Sequence, residues 1–174
     1  EWHWQNPETR VLLSGGGWDH VVLQERSRGP LEDREAMFRH ARLFDAEIKR
    51  LGGRTVFYMT WANRKAPENQ ELLGSAYLEI ARELHGLVAP VGLAWKKVQE
   101  TNPEIRLHHS DDRHSSKAGA YLSACVFYAL FFRLSPEGLP ARMDSVSGKP
   151  VDLPPESARV LQRCAFDSVM NVST

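Results

Sequence analysis

A carboxylate and an imidazole stand three residues apart in Ser110-Asp111-Asp112-Arg113-His114-Ser115-Ser116, directly ahead of a long apolar run from Ala118 to Phe132. In a tight turn that spacing lets both side chains face one cleft, and a buried helix behind them would hold them rigidly. The chemistry open to such a pair is general acid–base work: the imidazole takes a proton from an attacking hydroxyl, while the carboxylate fixes its tautomer and stabilises the imidazolium. Two other readings fit the same residues. A solvated polar loop would look similar, and His108, His109, Asp111, Asp112 and His114 also offer nitrogen and oxygen ligands suited to zinc, manganese or iron. Against a metal, His108 and His109 would point to opposite faces if they end a strand. No Glu/His pair at helical spacing elsewhere completes a shell.

The elements that must position the pair are legible as hydrophobic periods. Ser115 or Ser116 can cap the apolar helix, a hydroxyl accepting from an orphan N–H of its first turn. Upstream, short β-rich runs alternate with helical patterns. Asp19 to Gln24 reads as a buried strand; Met37, Phe38, Ala41, Phe44, Ile48 and Leu51 mark an amphipathic helix that Gly52 and Gly53 can end. Thr55 to Trp61 is a second strand, rich in β-formers, and Leu72 to Leu84 a second amphipathic helix entered through Pro67. Leu87 to Leu93 is a third strand candidate, weakened by Pro90 and Gly92, with a short helix from about Trp95 to Glu100 and an extended piece, Ile105 to His108, after it. A Pro- and Gly-rich connection from Ser135 to Pro155 leads to a last helix with Val160, Leu161, Cys164, Ala165 and Val169 on one face.

Strand alternating with helix predicts an α/β domain with a mainly parallel sheet covered on both faces, and the length, 174 residues, fits one such domain. In such sheets the site lies beyond the carboxyl ends of the strands. The polar or aromatic ends are Gln24 to Ser27, Thr60 to Asn63, Gly92 to Trp95 and Asp111 to His114, and they are expected on one rim. Lys plus Arg and Asp plus Glu both number 22, so no net field favours nucleic acid or an anionic membrane. The apolar run of about 15 residues falls short of the ~20 that a bilayer core requires. Cys125 and Cys164 lie on apolar helical faces, as packing residues do, and leave the redox compartment open. The first residues, Glu-Trp-His-Trp-Gln-Asn-Pro, lack the charged and apolar regions of a signal peptide, so any export signal has been removed or never existed, and localisation stays undetermined between cytoplasmic and exported.

Taken together, Trp18 to Ser27 (WDHVVLQERS), Val56 to Ala62 (VFYMTWA), Pro90 to Trp95 (PVGLAW) and Ser110 to Phe131 resemble the SGNH/GDSL hydrolase superfamily, in the right order over about residues 1 to 140. A bacterial branch of it that long lacked an assigned function is the narrower resemblance. It implies a flavodoxin-like three-layer α/β/α sandwich and ester hydrolysis through a serine, with no cofactor. It also implies that His114 is the general base and Asp111 its orienter. The branch carries Gln and Ser at the positions of Gln24 and Ser27, which puts Gln24 at the site as a donor, or else only at a strand end. Thr60, Trp61 and Trp95 are candidates for the substrate pocket, with core packing as the alternative reading of the aromatics.

The chain departs from the pattern in two places. It has no Gly-Asp-Ser or Gly-Asn-Ser turn: Ser14, before Gly15, Gly16 and Gly17, reads as part of a glycine-rich surface turn with no strand ahead of it. It also lacks the Gly-x-Asn-Asp block, whose Asn helps form the oxyanion hole. The resemblance therefore leads us to expect a preceding N-terminal segment of the same polypeptide carrying the first strand and the serine. A non-catalytic binding module that keeps the fold, or a metal-dependent hydrolase using His108 to His114, are the alternatives. The expected substrate is a small-molecule or carbohydrate ester.

Overall fold

The computed structural model describes residues 1–144 and 150–172. They form, in order, helices α1 (Trp2–Gln5) and α2 (Pro7–Ser14), strand β1 (His20–Leu23), helices α3 (Gly29–Glu32) and α4 (Arg34–Arg50), strand β2 (Arg54–Tyr58), helix α5 (Asn69–Glu83), strand β3 (Leu87–Ala89), helices α6 (Val91–Thr101) and α7 (Lys117–Phe132), the short strands β4 (Arg142–Met143) and β5 (Val151–Asp152), and helix α8 (Pro155–Val172). They group into two compact units, the first comprising Glu1–Thr60 and Glu71–Val88, the second Trp61–Gln70 and Ala89–Thr174.

The first unit is built on the parallel sheet, in the order β1-β2-β3. β1 pairs with β2 in the register His20↔Arg54 to Leu23↔Phe57, and the α3–α4 segment between them is the crossover that parallel neighbours require. Asp33 starts α4 by accepting the Ala36 N–H at 2.9 Å. α4 ends at the glycine pair: Gly52 takes φ 83° and the Gly53 N–H reaches back to Ile48 O at 3.0 Å. Val56, Phe57 and Met59 of the second strand segment, Ile48 of α4 and Tyr77 and Ile80 of α5 are fully buried. Within this core Asp45 accepts the Thr55 hydroxyl at 2.7 Å and pairs with Lys49 Nζ at 2.7 Å, so the buried carboxylate is satisfied.

β1 differs from the expected buried strand. Its residues alternate exposed and half-buried, because β2 covers one edge and a cleft of about 940 Å³ opens beside it. Trp2, Leu13, Trp18, Val22, Phe44 and Phe57 are among the residues that line that cleft. The helices ahead of β1 were likewise absent from the sequence reading, although Asn6-Pro7 carried a signal. Asn6 Oδ1 caps α2 by accepting from Glu8 N and Thr9 N, and Pro7 occupies the first turn. Ser14 is the last residue of α2, and the turn after it runs through Gly16 and Gly17, both at positive φ.

The second unit is mainly helical. α7 and α8 pack on each other and on α6, burying Ala94, Trp95, Val98, Leu122, Val126, Leu161 and Ala165. Gln162 of α8 is 1 % exposed and spends its amide on Tyr121 Oη at 2.6 Å and Leu139 O at 2.9 Å. Two strands end earlier than their sequence patterns predict. The third strand stops at Ala89, and Pro90 is the N-cap of α6, which starts at Val91. Proline has no N–H to give a ladder but loses nothing at a helix start, where that N–H would be unpaired. The second strand stops at Tyr58, so Thr60 and Trp61 lie beyond it. The piece Ile105 to His108 contributes the isolated antiparallel bridge His108↔Ser115. Within the Ser135–Pro155 connection β4 and β5 pair antiparallel, and residues 145–149 lie outside the described residues.

Candidate active site

The Asp111–His114 turn lies in the loop closed by the His108↔Ser115 bridge, directly ahead of α7. Ser116 does the capping: its Oγ accepts from Gly119 N at 3.2 Å while its hydroxyl donates to Arg106 O at 2.8 Å. The turn is closed by His109 N–H to His114 O at 2.7 Å and Asp112 N–H to His109 O at 3.1 Å. Asp111 Oδ1 accepts the N–H groups of Arg113 and His114, each at 3.0 Å, and Oδ2 lies 2.6 Å from His114 Nδ1. Those three bonds hold the Asp111 carboxyl well below the usual carboxylate range, the His114 contact first among them. The imidazole is open, its side chain 83 % exposed. With Nδ1 spent on Asp111, Nε2 is the ring's remaining lone-pair atom.

The loop 61–66 grips this turn. Trp61 Nε1 donates to Arg113 O at 2.8 Å, Arg64 N–H donates to Asp112 O at 3.0 Å, and the Arg64 guanidinium lies 3.4 Å from Asp112 Oδ1. His108 is buried instead. It is 2 % exposed, donates Nε2–H to Ala62 O at 2.9 Å, and meets the Trp95 ring edge-on at 4.7 Å. Burial pushes its pKa below the ordinary histidine value. The His108 nitrogen nearest to another polar group thus already has a carbonyl partner, and among the described residues no three His, Cys, Asp or Glu side chains are placed to hold one metal ion. Neither cysteine has thiolate character: burial pushes the Cys125 thiol up to about 12, and Cys164 is raised for the same reason.

Asp111, His114, Trp61 and Trp95 belong to the second unit, where Trp61 stacks on Trp95, a fully buried α6 residue. Gln24, Ser27 and Thr60 belong to the first. Gln24 is exposed one residue past β1 and lines the cleft; Ser27 is exposed in the turn before α3; Thr60 is 3 % exposed. Tyr77 Oη, in the same unit, accepts Glu25 N–H at 3.3 Å. Arg64 and Arg106 were not among the expected site residues, and Asp112 was expected there only as a metal ligand. Charge in a polar loop is common, and only the run Asn63-Arg64-Lys65 after a strand hinted at them.

Among solved structures the chain is similar to a protein of Slackia heliotrinireducens provisionally described as an SGNH hydrolase. The two are 27 % identical, with a TM-score of 0.60 over 69 % of each chain. The chain has an SGNH-hydrolase-like fold. No protein-family model and no curated protein matches it. The SGNH-like assignment agrees with the mixed α/β architecture and parallel sheet and supports a hydrolase.

Proposed function

We propose that this SGNH-like chain is a serine-type ester hydrolase in which His114 is the general base and Asp111 orients it. The observation that carries the reading is the 2.6 Å contact from Asp111 Oδ2 to His114 Nδ1 on an otherwise exposed ring. The contact selects the Nδ1–H tautomer and leaves Nε2 to accept a proton. In the proposed step Nε2 takes the proton of a serine hydroxyl as its oxygen bonds to the acyl carbon. The same proton then passes to the departing alcohol as the ester bond breaks, and water repeats the sequence to release the acid. A partly exposed indole at Trp61, bonded to the turn, supports an acylated carbohydrate as substrate, since sugars are commonly bound against aromatic faces.

We take the serine from an N-terminal segment of the same polypeptide, as the resemblance implies. The edge of β1 away from β2 has no strand partner among the described residues, and the apolar cleft beside it supports a strand there. A serine-reactive fluorophosphonate on the full polypeptide tests the reading. Labelling of one serine, lost in His114→Ala, is expected. An unlabelled, folded full-length protein would instead favour a non-catalytic binding module.

A further inference from the structure

Asp112 stands between the two members of the proposed dyad with its backbone at φ 60°, a left-handed conformation that Asp and Asn tolerate better than most residues. Its carboxylate gathers three cations: Arg64 at 3.4 Å, Lys65 at 3.7 Å and Arg106 at 3.8 Å. The neighbouring Asp111 receives none of them. Among the described residues its partners are the N–H groups of Arg113 and His114 and the ring of His114.

That division is not what charge alone would choose. Two carboxylates one residue apart, faced by three long and largely exposed cationic side chains, are similar targets for a guanidinium. A guanidinium on Asp111 would occupy the lone pairs that hold His114 Nδ1–H. Asp112 is the more enclosed acceptor, its side chain 20 % exposed against 42 % for Asp111, and less water competes with its ion pairs. We infer that Asp112 is a positioning residue: it draws Arg64, Lys65 and Arg106 onto itself and so leaves the Asp111 carboxylate to hold the His114 imidazole. The inference rests on the general-base reading of His114, but the state of the His114 ring can be measured without any substrate. Of the charged and titratable groups nearby, Asp111 touches the ring and Asp112 and Arg113 share its turn. Arg106 and His109 stand on the segment entering the turn, Arg64 and Lys65 on the 61–66 loop that bonds to it, and His108 is buried on Ala62 O.

The test uses Asp112→Asn, which keeps the size and the tolerance for left-handed backbone and removes the charge, alone and combined with Arg64→Gln and Arg106→Gln. Long-range proton–nitrogen correlation spectra of the neutral rings report which nitrogen of His114 carries the proton. The wild type should show Nδ1–H. Asp112→Asn should shift His114 toward the commoner Nε2–H form and lower kcat about tenfold with KM little changed. The triple variant should recover both, and raised salt should recover part of the loss in Asp112→Asn by screening the released cations. A purely structural role for Asp112 predicts a loss that removing the cations does not repair, and that result would overturn the inference. So would an unchanged tautomer in Asp112→Asn, or a wild type without Nδ1–H. If the tautomer series behaves as expected but no ester is hydrolysed, Asp112 keeps its role and the esterase reading fails.

Discussion

Trp61 and Trp95 stack face to face, their ring centroids 4.0 Å apart and their planes 6° from parallel. Trp95 is wholly buried in α6, whereas Trp61 is partly exposed and spends its indole N–H on Arg113 O, one residue before His114. The stack therefore anchors the dyad's turn to the helical core through one side chain. Trp61→Phe should keep much of the aromatic contact and lose the hydrogen bond, lowering stability by about 1 kcal/mol; Trp61→Ala should lose both and cost about 3 kcal/mol. Denaturant midpoints check the order, and equal costs for the two variants would show that the hydrogen bond, not the stack, dominates.

Removing the proposed base is the direct test of the dyad. His114→Ala takes away an exposed ring and should leave the denaturant midpoint nearly unchanged while abolishing ester hydrolysis by the full polypeptide. Asp111→Asn leaves an acceptor but allows the wrong tautomer, and a fall in kcat of about 10²- to 10⁴-fold is expected. Retained activity in His114→Ala would defeat the assignment.

Gly119 on the first turn of α7 sets two effects against each other. A Cβ there would lie 2.5 Å from Leu107 O and 2.5 Å from Trp95 Cζ2. Helix propensity alone favours Ala by about 1 kcal/mol, but overpacking against a backbone carbonyl and a buried, stacked ring costs roughly 1–3 kcal/mol or more. The clash should win. Gly119→Ala is expected to lower the denaturant midpoint and to alter tryptophan near-ultraviolet dichroism through the Trp61–Trp95 pair.

His108 should make stability depend on pH. Because burial lowers its folded pKa, the unfolded chain binds the proton more readily below about 6.5. The stabilisation is then complete above that pH and is lost as the pH falls through it toward the lower folded value. Denaturant midpoints between about pH 7.5 and pH 5 should fall on acidification, and His108→Gln, which keeps an N–H donor for Ala62 O, should flatten that slope while lowering the plateau. An unchanged slope would place the titration elsewhere.

Local patterns were sufficient for much of this molecule. The apolar periods of α4, α5, α7 and α8 and the β-rich cores of β1 and β2 are each written within one segment, because helix and strand periods follow from backbone geometry. The Asp111–His114 contact was legible for the same reason: three residues of a tight turn can bring the two side chains together without help from elsewhere. Sequence could not decide which way His108 turns, since that depends on the Ala62 carbonyl 46 residues away. Nor could it fix where α6 begins, reading strand to Leu93 and helix only from about Trp95: Pro90 is compatible with either a strand end or an N-cap, and only packing against α7 and α8 resolves the choice. Asp112 read as one acid among several polar residues, and its three cations come from two separate segments. Long-range pairing of that kind is paid for by tertiary packing, so no local pattern records it.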